Sequence, residues 1–201
     1  MATRVLFWRL PQTGPCHART FITLPFSGAS ATRKQYNESC IFPYTRDQIY
    51  SVVSDVDRYH EFVPMCIAST VFHDTKQVIQ KSGKQHEKVQ AELVVGYPPF
   101  REQYTSVVTM ERPHIVIAEA APGSGMFKHM KTVWEFEEHT QGTAPMNPFM
   151  KGKGDQTLVK FAIDFEFSSI LHAQAATLAF DRMAKSNLAA YLERCRVLFG
   201  K

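Results

Sequence analysis

The chain has 201 residues, 44% apolar and 12% aromatic, which suits one domain with a real core plus an extension. Its 11 prolines are dispersed and no run of eighteen uncharged apolar residues occurs, which argues against a membrane-spanning helix. The net charge of +4 is concentrated at one end: residues 1–34 carry +5 from Arg4, Arg9, Arg19, Arg33 and Lys34 with no acid, leaving −1 on residues 35–201, so the body offers no basic face for nucleic acid.

The acid-free start, rich in Arg, Ser, Thr and Ala, has the composition of a mitochondrial transit peptide. Val5, Leu6, Phe7, Trp8 and Leu10 beside Arg4 and Arg9 form a short basic amphipathic turn, limited by Pro11 and Gly14. That run is too short and too charged for a secretory signal. The expectation is a disordered targeting segment over 1–34 and a folded domain over 35–201. Cys16, Cys40, Cys66 and Cys195 show neither CxxC nor a Cys/His metal spacing, and the eight histidines lack HxH or HExxH. Free thiols in a reducing compartment and no metal site are the plain reading.

In the body, Ser39-Cys40-Ile41-Phe42 reads as a first strand ending at Pro43. Thr45 is an N-cap with Gln48 in capping-box position, so a helix runs from Arg46 to about Ser54 with Ile49, Val52 and Val53 on one side. Asp55 starts a second short helix carrying Tyr59, Phe62 and Val63, which Pro64 stops. Met65 to Thr75 reads as a strand passing into a polar connection, and Lys81 to Lys84 is a turn. Val89, Ala91, Leu93, Val95 and Tyr97 then alternate with polar residues until Pro98-Pro99, and a second arm from about Phe100 alternates through Tyr104, Ser106 and Val108. This is a long hairpin with one apolar face.

Ile115 to Ala120 is β-rich, and Pro122 to Gly125 is a turn. Met130, Thr132, Trp134 and Phe136 share one face of the next strand. His139 to Gln156, with its glycines and prolines, is a long surface insertion. Val159, Phe161, Ile163, Phe165 and Phe167 give the cleanest alternation in the chain. From Ile170 to Leu198 there is no Pro or Gly, and Phe180, Ala184, Leu188, Tyr191, Cys195 and Leu198 share one face of a helix of about eight turns, with Met183 at its margin. Strands joined by hairpins make an antiparallel sheet. A long helix following such a sheet covers its apolar face, and the gap between them is where apolar ligands sit.

That order resembles the helix-grip fold of the START-like, polyketide cyclase/dehydrase superfamily. Within it the chain is similar to the mitochondrial coenzyme Q-binding protein family over about residues 36–200. The resemblance rests on Tyr59-His60-Glu61-Phe62-Val63-Pro64-Met65-Cys66 and on Glu92-Leu93-Val94-Val95-Gly96-Tyr97-Pro98-Pro99. It extends to Tyr104-Thr105-Ser106, to Met126-Phe127 ahead of His129, to Thr132-x-Trp134-x-Phe136, and to Val159-x-Phe161-x-Ile163 running through Phe165-x-Phe167 to Leu171-His172. Two departures are Met65, where family members often carry Trp, and the length of the 139–156 insertion. The fold implied is α+β: a curved antiparallel sheet of about six to seven strands wrapped around the C-terminal helix, with two short helices after the first strand.

The resemblance implies a non-enzymatic protein that binds ubiquinone or its polyprenyl intermediates. Ubiquinone would be the bound ligand, with no catalytic cofactor. The implied place is peripheral on the matrix side of the inner mitochondrial membrane, supporting respiration and ubiquinone synthesis, with synthesis or respiratory complexes as further partners. The residues expected to wall the gap are Phe62, Val63, Pro64, Leu93, Val95, Tyr97, Tyr104, Phe127, Trp134, Phe136, Phe165, Phe167, Phe180, Met183, Asn187 and Leu188. All but one have the apolar or aromatic character that a polyprenyl chain needs, since each exposed CH₂ costs about 0.8 kcal/mol. Asn187 falls on the apolar side of the helix, and a buried amide needs a partner: a quinone carbonyl, or a backbone carbonyl of the sheet. Tyr97, Tyr104 and Tyr191 offer hydroxyls. Gly123-Ser124-Gly125 with Met126 and Phe127 forms either a membrane-touching tip or a buried loop.

Two other function classes stand beside this one. A cyclase or aromatase of the same fold would draw on Glu61, Glu92 or Glu102, of which Glu92 lies on a polar strand face. A module that binds ribosomes or a synthesis complex would show a basic or strongly apolar exposed face. No nucleophile elbow, phosphate-cradling loop or paired carboxylates appear.

Overall fold

The computed structural model describes residues 17–19, 32–81, 83–97, 100–123, 127–139, 156–169 and 186–200. The strands are β1 (His17–Arg19), β2 (Arg33–Phe42), β3 (Cys66–Lys81), β4 (Lys84–Tyr97), β5 (Phe100–Glu111), β6 (Ile115–Ala120), β7 (Phe127–Glu138) and β8 (Thr157–Phe167). They make one antiparallel sheet in the order β1-β2-β8-β7-β6-β5-β4-β3. Between β2 and β3 lie helix α1 (Arg46–Ser54) and a 3-10 helix (Val56–Glu61). A C-terminal helix, α2, covers 186–199. The expected fold class is the observed one: α+β, with a curved sheet, short helices and a C-terminal helix.

Sequence dictates these elements locally. Thr45 accepts from the Gln48 amide at 3.2 Å, and Gln48 returns a bond to the Thr45 amide at 3.0 Å, so the capping box forms as read. Ile49, Tyr50, Val52 and Val53 make the buried side of α1. The 3-10 helix is tied to β3 by Asp57, whose carboxylate takes the Val71 amide at 2.6 Å and whose carbonyl takes the Ser69 hydroxyl at 2.9 Å. Val159, Phe161, Phe165 and Phe167 are all buried on one face of β8.

Several expectations change. The first strand begins at Arg33 instead of Ser39, because β8 supplies charged partners: Arg33 bonds Asp164 at 2.6 Å. The boundary expected after residue 34 is crossed twice, since β2 starts before it and β1 pairs with β2 at Asn37, Glu38 and Ser39. The polar stretch after Thr75 is strand, with a register shift between Phe72 and Gln77. Thr75 holds that irregularity by donating to the Phe72 carbonyl at 2.7 Å and accepting the Gln90 amide at 2.8 Å. Cys66 and Cys195 are free and buried, but Cys40 is disulfide-bonded, unlike the free thiol expected. Most of the 139–156 insertion and the first half of the long helix lie outside the described residues. At the insertion's base, the His139 amide donates to the Gln156 carbonyl at 3.0 Å, so its two ends lie side by side.

Candidate functional site between sheet and helix

Alternation turns one side of the central strands inward. Leu93 faces Tyr104 across the β4–β5 ladder, and Trp134 faces Phe161 across β7–β8. Two aromatic groups result. In the first, Trp134 meets Phe161 at 4.4 Å and Tyr191 at 4.5 Å, while Tyr59 and Phe62 meet Tyr191 edge-on at 5.5 and 5.1 Å. In the second, Phe127 meets Tyr104 edge-on at 5.4 Å, stacks on Phe167 at 5.4 Å and touches Phe165 at 5.9 Å.

The course of α2 follows from its ring contacts. Tyr191 is at Trp134, and Phe199 is 6.1 Å from Tyr44, whose carbonyl takes the Thr157 hydroxyl at 2.8 Å. Helix and β8 therefore run in opposite directions. Going back four residues from Tyr191 covers about 6 Å, the length of about two strand residues. That brings Asn187 level with Ile163 and its ladder partner Thr132, between the two aromatic groups.

Burial keeps the polar groups here neutral. Tyr59, Tyr104 and Tyr191 are all held above the ordinary phenol range, by burial first in each case; the charge and hydroxyl of Tyr59 add to the effect at Tyr191. Burial pushes the Cys66 thiol up to about 11 and Cys195 up to about 12. Most of the donors are committed. Tyr59 donates to the Val53 carbonyl, Ser106 to the Ala91 carbonyl at 3.5 Å, Cys66 to the Ala68 carbonyl at 3.5 Å, and Thr132 to the Met130 sulfur at 3.5 Å. The Asn187 side-chain oxygen is buried and takes no hydrogen bond among the described residues.

Two carboxyls share the inner side. Glu38 on β2 takes the Tyr36 hydroxyl at 2.5 Å, and burial lifts its pKa above the usual carboxylate range. Glu102 is half-buried opposite Val95 near the β4–β5 turn. The other two acids with a candidate catalytic role face elsewhere: Glu61 pairs with Arg194 at 2.6 Å, and Glu92 takes a bond from Gln103 at 2.7 Å.

The structure brings most of the expected wall together. Leu93, Trp134, Phe165, Phe167 and Leu188 are buried, and Phe62, Val63, Pro64, Val95, Tyr104 and Phe127 are half-buried. Phe136 departs from the rest: its ring partner is Tyr50 at 6.4 Å, which places it under α1. Phe180 and Met183, and the side chain of Tyr97, lie outside the described residues. Near the β4–β5 turn, the Gly96 amide donates to the Met65 carbonyl at 2.9 Å, and a Cβ at Gly96 would come within 2.2 Å of the Ile67 side chain.

Sequence reasoning missed Tyr59, Phe161 and Cys66 as members. Phe161 was legible in the same alternation as Phe165. Tyr59 was read only as a helix-packing residue, and its contact across to Tyr191 has no local signal. A separate cleft of about 780 Å³ lies between α1 and the ends of β3 to β6. Its rim is charged and mutually paired, as in Lys84–Glu111 at 2.5 Å and Lys76–Glu87 at 2.9 Å, which suits a polyprenyl chain poorly.

Residues 42–191 match the family described as "Polyketide cyclase / dehydrase and lipid transport". The chain is 32% identical to coenzyme Q-binding protein COQ10 homolog B, mitochondrial, of Xenopus laevis, over 96% of this chain and 72% of that protein. It is 30% identical to coenzyme Q-binding protein COQ10, mitochondrial, of Drosophila melanogaster, over 89% of this chain and 64% of the relative. Among solved structures, the 18 kDa protein CC1736 of Caulobacter crescentus aligns with a TM-score of 0.58 at 25% identity, over 83% of this chain and 99% of its own. The Zhui aromatase/cyclase of a Streptomyces species aligns with a TM-score of 0.56 at 15% identity, over 83% and 97%, and shares the fold alone.

Proposed function

The chain belongs to the polyketide cyclase/dehydrase and lipid transport family and, within it, to the coenzyme Q-binding COQ10 proteins, and we propose that it holds ubiquinone or a polyprenyl precursor between the sheet and α2, as a carrier and not a catalyst. One observation carries this reading. Tyr104, Phe127, Ala118, Ala120, Ile163 and Leu192 pack on the core yet remain only partly buried. Tyr104 is surrounded by enough protein to hold its phenol well above the ordinary range, by burial. Side chains that pack on the core yet stay accessible suit an open space beside α2, and its proposed walls are mostly aromatic and aliphatic, with Glu38 and Glu102 the carboxyls on the same inner side.

Such a space lowers the cost of taking a prenyl chain out of a bilayer, where each CH₂ is worth about 0.8 kcal/mol. The thiols and phenols stay protonated, and the two inner carboxyls, Glu38 on β2 and Glu102 on β5, have three strands between them and form no acid–base pair, which fits binding better than cyclisation. The proposed setting is the matrix side of the inner mitochondrial membrane, consistent with the acid-free, arginine-bearing residues 1–34. The proposed role is to support respiratory electron transport and ubiquinone synthesis. Among the described residues no helix is long and apolar enough to cross a membrane, and contact with the bilayer is proposed to be peripheral.

The test is to purify the full chain, extract it with organic solvent and identify the lipids by mass spectrometry. Ubiquinone or a prenylated ring precursor at near-stoichiometric yield is the expected result. An empty extract, from protein that also fails to bind added quinone, would sink the proposal.

A further inference from the structure

We propose that the space beside α2 selects ring compounds that carry a free hydroxyl, the hydroquinone or a phenolic precursor, over the oxidised quinone. This rests on the reading that a prenylated ring occupies that space, and it adds which ring chemistry the protein prefers.

Asn187 carries the inference. On the helical wheel it lies about 40° from Tyr191, one turn earlier, on the flank of the stripe formed by Leu188, Tyr191 and Cys195. Its side-chain oxygen is buried and takes no hydrogen bond among the described residues. An amide oxygen is an acceptor only, and a buried acceptor without a donor carries its full desolvation cost.

The nearby donors do not serve it. Tyr59 donates to the Val53 carbonyl, and the Tyr191 ring stands edge-on against Tyr59 at 5.5 Å, with the two hydroxyls interacting with each other. The Thr132 hydroxyl, level with Asn187, turns to the Met130 sulfur at 3.5 Å. Ser106 and Cys66 are bonded to strand carbonyls, each at 3.5 Å. The missing partner is therefore a donor that arrives with the ligand.

Quinone and hydroquinone differ at this point. A quinone ring bears only carbonyl and ether oxygens, all acceptors: they can take the Asn187 amide N–H but bring no donor to its side-chain oxygen. A hydroquinone or phenol brings an O–H directed outward from the ring. Tyr104, whose ring contacts Phe127 and whose hydroxyl stays protonated, can donate to an oxygen of either form and does not discriminate between them. The preference thus falls on Asn187. One neutral hydrogen bond gained, in place of an orphaned acceptor, corresponds to a preference of about tenfold, or ~1.4 kcal/mol. By linkage, a tenfold preference for the reduced form raises the two-electron potential of the bound couple by about 30 mV.

The experiment is calorimetric titration of the full-length protein, under anaerobic conditions, with decyl-substituted ubiquinone in its oxidised and chemically reduced forms. A decyl-substituted phenol and its O-methyl ether form a second pair. Hydroquinone about tenfold tighter than quinone, and phenol tighter than ether, is the expected result, with Asn187→Leu bringing each pair to within about twofold. That variant removes a buried unpaired polar atom, so it is expected to fold at least as stably as the parent. A hydroquinone preference without a phenol preference assigns the site to the reduced quinone; both together assign it to hydroxylated rings generally. Equal affinities, or a preference for quinone, would overturn the inference while leaving the proposed function standing. Failure to bind any of the four compounds would overturn both.

Discussion

Replacing Phe127 by alanine separates a filled core from a lined space. Phe127 is half-buried and touches three rings, Tyr104, Phe165 and Phe167, at 5.4, 5.9 and 5.4 Å. Were it ordinary core, its removal would leave a cavity and cost about 3–5 kcal/mol. As a half-exposed wall of an open space it loses about half the burial and two or three ring contacts, which gives about 2 kcal/mol. The larger effect is then on the ligand. If the ring covers about 50 Å² of prenyl chain, its loss is worth ~1.3 kcal/mol at about 25 cal/mol per Å², close to tenfold in affinity. Urea unfolding reads the first quantity. Quenching of tryptophan fluorescence by a short-tailed quinone reads the second, because Trp134 is on the same inner face, next to the proposed space. Destabilisation of 3–5 kcal/mol with unchanged quinone affinity would refute the reasoning and return Phe127 to the core.

Thr45→Ala removes one bond of the capping box and frees the Gln48 side chain, so the urea midpoint should fall by the equivalent of about 1 kcal/mol; no shift would mean that α1 is held by packing alone. Tyr59, Tyr104 and Tyr191 keep their protons in the folded chain above the ordinary phenol value of 10.0. The unfolded chain loses those protons first, so their contribution to stability is whole below that pH and is lost as pH rises above it. In an alkaline titration followed by tyrosinate absorbance, these three should ionise only as the chain unfolds. Their early, non-cooperative ionisation would contradict the buried cluster.

How much was legible in advance depended on whether burial imposed a pattern. Strands β4, β5, β7 and β8 each have neighbours on both edges and one buried face, so Leu93, Tyr104, Trp134 and Phe165 fall in period on the inward face. The capping box at Thr45 and Gln48 was readable because both bonds are local. β3 was not readable past Thr75, since it pairs on one side only and its outer half is exposed: nothing selects apolar residues at alternate positions there. Phe136 was misplaced because alternation reports the face of the sheet and not which helix covers it. Tyr59 and Cys66 join the site across long sequence separations, through contacts that no local pattern encodes.

The irregularity at Thr75 bears on solubility as well as on shape. β3, sixteen residues long, forms one margin of the sheet; the 3-10 helix covers its first part, where Asp57 takes the Val71 amide at 2.6 Å, and the part beyond turns main-chain donors and acceptors outward, which invites another chain to extend the ladder. The shift between Phe72 and Gln77 breaks the regular spacing that an incoming strand would copy. His73, Asp74 and Lys76 add charge or polarity at the same place, and Lys76 is tied back to Glu87 at 2.9 Å. Deleting residues to straighten this segment would give a continuous, copyable edge, and the expected outcome is a chain that aggregates more readily, as read by light scattering.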